Sequence, residues 1–192
     1  MSENTTAART TARTVATVDR GKLDVQSLVL LAVLLAAGFI LNFTVGNAVS
    51  TMTGGVIQPE FIISAFCLMI LIVRPNVGQA LVIGLISAAV IQLTTKSPFI
   101  DFAAEGIAAM LMAGIVAAGM HGKARAFVPA VGSFATTVVS GVIFMVIKMA
   151  TMGFAQNLTA VMLPVVVATG VFNAILVSAL YLPIRKALKL ED

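Results

Sequence analysis

Charge is scarce in this chain: 10% of its 192 residues are Asp, Glu, Lys or Arg and 59% are hydrophobic, where a soluble domain has about 25% and roughly 45–50%. A water-soluble globular domain is excluded on that balance. There is one cysteine, Cys67, inside an apolar run, so neither a disulfide framework nor paired-thiol chemistry is available within the chain. Cys67 reads as packing. The single histidine, His121, lies in a loop beside Lys123 and Arg125, which excludes a histidine-based metal site or a Ser–His hydrolase inside a bilayer. No spaced set of Asp residues offers a metal-dependent transferase site. No G-x-x-x-x-G-K-[ST] loop occurs, so the chain does not itself couple ATP hydrolysis to movement. These absences favour a binding protein over an enzyme, with neither metal nor cofactor. Tryptophan is absent altogether, although it commonly marks membrane interfaces.

What is present is apolar sequence in six runs: Val25–Val45, Ile57–Val73, Val77–Leu93, Ile100–Ala118, Phe127–Met149 and Val161–Leu182. Each is long enough for a straight or tilted membrane helix. Pro59, Pro98, Pro129 and Pro164 fall near the expected helix starts, and Pro75 and Pro183 near ends, where a missing N–H does least harm. A soluble helical bundle is excluded because every run is hydrophobic on all sides. With the N-terminus in the cytoplasm, the inner segments carry Arg9, Arg13, Arg20, Lys22, Arg74, Lys123, Arg125, Arg185, Lys186 and Lys189, and the outer ones only Lys96 and Lys148. That asymmetry predicts an all-α integral membrane protein, a six-transmembrane-helix bundle with cytoplasmic N and C termini. It also explains the net charge of +4 without nucleic acid. Residues 1–24 have no apolar core and so form no secretory signal. They read as a disordered basic tail, 25–189 as the membrane domain and 190–192 as a C-terminal tail.

Polar groups concentrate on the outer side. The outer segment Gly46–Gln58 is long and rich in small residues, and reads either as a cover over an exterior site or as a connector. Ionisable groups in or near the membrane are costly and usually have partners, which singles out Glu60, Asp101, Glu105 and Lys148. Asp101 and Glu105 are four apart and share a helix face, with Glu105 a turn deeper. Glu105 is suited to a substrate ammonium or N–H donor and Lys148 to a carboxylate. The same residues also read as a Glu105–Lys148 pair, or as a lysine reaching to the interface. Asn42, Asn47, Gln92, Thr94, Thr95, Gln156 and Asn157 gather on the same side, as ligand groups or as helix caps. Asn173, near the middle of the sixth run, must bond across helices or reach a pocket. Small residues at fourfold spacing, Ala32 and Ala36, then Gly106 with Gly114, and Gly170, Ala174 and Ser178, offer flat packing ridges.

Six short helices, a cytoplasmic N-terminus, the Ala32-x-x-x-Ala36 pair and the missing ATP motif together resemble the substrate-binding S components of energy-coupling factor transporters. Gly54-Gly55, Pro59-Glu60, Arg74-Pro75, the run Leu81-Val82-Ile83-Gly84-Leu85-Ile86-Ser87, and Gln92-Leu93-Thr94-Thr95 with Pro98 resemble the tryptophan-type branch of that family. That branch usually continues after the paired threonines with a longer Gly- and Gln-containing stretch, where this chain has only Lys96 to Asp101. The resemblance implies a prokaryotic plasma-membrane protein that binds a small solute near the outer surface. It would then topple against a transmembrane coupling subunit driven by two cytoplasmic ATPases. It implies a docking ridge at Ala32 and Ala36, and a pocket at the outer loops and outer helix ends, where Glu105, Asp101, Thr94, Thr95, Asn157, Lys148, Asn47 and Asn173 fall. Tryptophan or a related aromatic compound is the implied solute, with a vitamin as the alternative. The absence of tryptophan from a protein made during tryptophan starvation tilts the choice toward the former. Two other classes stay open from the residues alone: a self-sufficient carrier or channel in which Glu105 exchanges protons, and a membrane scaffold without a small ligand.

Overall fold

The computed structural model describes residues 21–52, 59–95, 97, 99–152 and 157–189. Among them there is no strand: helices α1 (Val25–Leu41), α2 (Asn47–Met52), α3 (Phe61–Val73), α4 (Val77–Ile91), α5 (Ile100–Gly119), α6 (Val128–Met152) and α7 (Asn157–Ala187) are joined by turns. A widened π turn, Asn42–Gly46, links α1 to α2 without a break. The first apolar rod therefore runs from Val25 to Met52, past the Val45 boundary expected from hydropathy. Part of the expected outer loop, up to Met52, is helix, and 53–58 lie outside the described residues. So do most of the basic tail, Lys96, Pro98, Gln156 and the last three residues.

Local chemistry sets the ends. Asp24 Oδ1 accepts from Ser27 N at 2.8 Å and caps α1. At the α3–α4 turn Arg74 adopts a left-handed conformation (φ 53°). Pro75 then bars helix continuation, and Asn76 exchanges hydrogen bonds with Gln79 in a capping box that opens α4. The tight turn expected at Arg74-Pro75-Asn76 is thus built by three residues with separate tasks. Pro164 departs from expectation: α7 begins at Asn157, so Pro164 lies inside the helix, as does Pro183 near its end. In an apolar bundle such prolines are tolerated because neighbouring groups satisfy the freed carbonyls.

Helix α3 is the axis of the bundle. All of its 13 residues are buried, and α1, α4, α5, α6 and α7 all pack against it. Phe66, Ile62, Met69 and Ile70 fill the centre, against Leu31 and Leu35 of α1, Ile83 of α4, Met112 of α5 and Val177 of α7. Sequence neighbours run antiparallel. Gly38 of α1 lies beside Phe61, while Gly21 N donates to Val73 O at the other end of α3. Gly132 of α6 abuts Met112 and Ile115, and Gly141 abuts Val166 of α7.

Among the described residues, four helices are long and apolar enough to cross a membrane: Val25–Met52, Ile100–Gly119, Val128–Thr151 and Thr159–Ala187. The chain is therefore an all-helical, membrane-embedded protein. Helices α3 and α4 are equally apolar but shorter, 13 and 15 residues. At 1.5 Å per residue, α3 covers only about 20 Å of a hydrocarbon core of about 30 Å.

Helices α4 and α5 touch backbone to backbone. A Cβ on Gly84 would stand 2.5 Å from Glu105 O and 2.8 Å from Ala109 Cβ, whereas one on Gly114 meets nothing within 4 Å. Gly84→Ala is expected to lower stability in detergent by about 1–3 kcal/mol through overpacking, and Gly114→Ala to stay within about 0.5 kcal/mol. Thermal unfolding of the two variants checks the pair, and equal melting would contradict the close approach.

Candidate functional site

Because α3 is short, space remains above its N-terminal end. Asn173, at the middle of α7, donates from Nδ2 to Glu60 O at 3.3 Å and to Thr137 Oγ1 at 3.1 Å. The Phe61 ring meets Phe172 edge to face at 5.8 Å. The start of α3 is thereby held level with the middle of α7, and the longer helices rise past it as walls. The result is a cavity of about 520 Å³, within the range of about 300–1,000 Å³ usual for small-molecule sites.

Every long helix contributes to the lining. The π turn brings Asn42, the start of α3 brings Glu60 and Ile63, and the end of α4 and its following turn bring Ile91, Thr94, Thr95 and Ser97. Helix α5 adds Asp101 and Glu105, α6 adds Thr137, Ser140, Phe144 and Lys148, and α7 adds apolar residues with Thr169. The rim turn between α4 and α5 is braced by its own polar groups. Gln92 Nε2 donates to Asp101 Oδ2 at 3.1 Å, Gln92 Oε1 accepts from Phe99 N at 3.1 Å, and Thr95 Oγ1 accepts from Ser97 N at 3.2 Å.

Glu105 is the deepest feature of the α5 wall. It is 4% exposed, Ser140 Oγ donates to its Oε1 at 2.8 Å, and its Oε2 has no hydrogen-bond partner. The close approach of Gly84 to its backbone fixes its height on α5. Lys148 does not pair with it: among the described residues neither group has an ion-pair partner, and the Lys148 ammonium sits over the Phe144 ring at 5.3 Å.

Of the residues expected at the site, Glu105, Asp101, Thr94, Thr95 and Lys148 line the cavity together. Asn47 does not. It is exposed on α2 and donates to Phe43 O at 2.8 Å, because the chain there continues as helix instead of folding over as a loop. Asn173 is fully buried below the lining and bonds across helices. Asn157 opens α7, and its side chain lies outside the described residues. Glu60 and Asn42, notable in the sequence as outer polar groups but not among the implied pocket residues, belong to the lining, and so do Thr137, Ser140 and Phe144, which the sequence reading passed over. For α6 a signal existed: Ser133, Thr136, Thr137 and Ser140 recur at helical spacing in an otherwise apolar run.

Comparison of the chain with family models, with curated proteins and with solved structures finds no match. The site therefore stands on its own geometry.

The Asn173 amide is the tie between the cavity floor and two walls. Asn173→Leu is expected to cost about 0.6–1.7 kcal/mol, the range for hydrogen bonds between membrane helices, and a chemical or thermal melt in detergent measures it. An unchanged melt would show that the tie is dispensable.

Proposed function

We propose that this protein is the substrate-binding component of an energy-coupling factor importer, with six membrane-crossing helices, cytoplasmic termini, and a cavity that opens outward to take up a small solute. Supporting the reading above all is the cavity itself: lined by polar as well as apolar groups, set inside an apolar bundle, and built from the helix ends farthest from Lys22 and Arg74. Under the positive-inside rule, those basic residues mark the cytoplasmic face. The two short helices then cross by virtue of the cavity, since non-helical backbone at membrane depth is tolerated where it lines a water-filled space. Tryptophan or a related aromatic compound is the candidate solute, on the sequence resemblance, and Phe144 is an aromatic surface in the lining against which it would stack.

The energising partners are a transmembrane coupling subunit and two cytoplasmic ATPases, and the docking ridge is Ala32 and Ala36. In keeping with that role, both alanines are exposed on α1. They share a face with Val29, Val33 and Ile40, each 58–60% exposed. A flat small-residue face of this kind lets another helix approach closely. The function is binding without catalysis, in a prokaryotic plasma membrane.

A second reading has one observation in its favour. The unpaired, buried Glu105 is the kind of intramembrane carboxylate that serves proton exchange in a self-sufficient carrier.

Replacing Ala32 and Ala36 by Leu is expected to abolish copurification with a coupling subunit while solute binding by the isolated chain persists. Assembly that survives both substitutions would contradict the ridge. Proteoliposomes holding this chain alone are expected to show no uptake under a proton gradient without ATP, and uptake there would favour the carrier instead.

A further inference from the structure

The polar lining is unbalanced in charge. Among the described residues it holds three carboxylates, Glu60, Asp101 and Glu105, and one ammonium, Lys148. All four line the same recess, so negative groups outnumber positive ones there. Three of the hydroxyl and amide donors nearby are already committed. Thr94 Oγ1 donates to Ile91 O at 3.3 Å, Ser140 Oγ to Glu105 Oε1, and Gln92 Nε2 to Asp101 Oδ2. Glu105 Oε2, however, is buried with nothing donating to it. An orphaned carboxylate oxygen inside a membrane bundle is costly. A ligand that brings a positive charge and N–H donors would offset the excess of acidic groups and pair the orphaned oxygen.

We infer that the solute is a cationic amine whose nitrogen docks on Glu105, with Glu60 and Asp101 supplying the surrounding negative field. This rests on the cavity being the solute site proposed above. A carboxylate on the solute is secondary. Ser140 marks the Glu105 level on α6, and Lys148 stands roughly two turns farther along that helix, a rise of about 12 Å. Lys148 holds its ammonium over the Phe144 ring at 5.3 Å and makes no ion pair with Glu105. The amine is the recognised end.

The test is direct binding to the purified full-length chain in detergent, by thermal shift and calorimetry, with matched compounds of common skeleton. The indole set is tryptamine, its alcohol tryptophol, indole-3-propionate and L-tryptophan; phenyl and short alkyl sets follow the same pattern. At least one skeleton is expected to bind as the amine and to lose at least about tenfold in affinity as the alcohol, the scale of a lost charge-assisted hydrogen bond, and more as the acid. Glu105→Gln, which keeps the shape and the Ser140 contact, is expected to erase the preference for amine over alcohol. Lys148→Met, which removes the one positive charge of the lining, is expected to bind the amine at least as tightly as the parent chain, and a loss of amine affinity in it would count against the amine as the recognised end. Should Glu105→Gln fold poorly, Ser140→Ala, which frees Oε1 as well, is expected to retain the amine preference. The inference is overturned if no amine binds, if alcohol or acid binds as well as amine, or if Glu105→Gln keeps the preference. Copurification with a coupling subunit is independent of these outcomes: an amine binder that recruits no such subunit overturns the importer reading alone.

Discussion

A helix of 13 residues at the centre of a membrane bundle imposes the arrangement of everything around it. Its side chains are buried on every face, so five other helices must pack on it. Its start is pinned at the middle of α7 by the Asn173 amide and the Phe61–Phe172 contact. Backbone and polar side chains at that depth have no bulk water to satisfy them and must find partners or line a wet space. The cavity is the consequence. It is the volume that a full-length helix would have filled, and its floor is the α3 N-terminus with Glu60.

The surrounding details follow from that constraint. The π turn at Asn42–Gly46 lets the first rod continue to Met52 while turning Asn42 toward the cavity, a use of widened turns common at functional sites. Gly84 brings α4 against the Glu105 backbone and so sets where that carboxylate stands. Ser140 then holds one carboxylate oxygen and leaves the other open. Outside the bundle, by contrast, α1 shows a plain face of alanine and branched aliphatic residues. A polar recess at one end and a flat apolar ridge on α1 are separate surfaces, in keeping with the proposed binding of a solute at the one and docking of a partner at the other.

Much of this was legible in the sequence, for identifiable reasons. Hydropathy located α1 and α3 to α7, because in lipid an apolar run has few alternatives to helix. Asp101 and Glu105 were recognisable because charge at that depth is rare, and the Arg74-Pro75-Asn76 turn because each residue has a strong local preference. Other features depended on tertiary packing. That residues 47–52 are helical is invisible to a reading that treats Gly46 and a run of Ser and Thr as loop. The depth of Glu60 depends on where α3 sits relative to α7, a relation between residues far apart in sequence. Asn173 was recognisable as costly, but which of its two possible roles it took depended on whether Glu60 O and Thr137 came within reach.

The central claim is that the α3 N-terminus is the floor of a solvent-reached recess and the rest of that helix is dry core. In a Cys67→Ala background, Glu60→Cys is predicted to react in intact membranes with a small, positively charged, membrane-impermeant thiol reagent added from outside, and to be protected by bound solute. The parent chain, whose only thiol is the fully buried Cys67, is predicted to stay unmodified under the same conditions. A Glu60→Cys protein that resists the reagent, or a parent chain modified at a similar rate, would contradict the account.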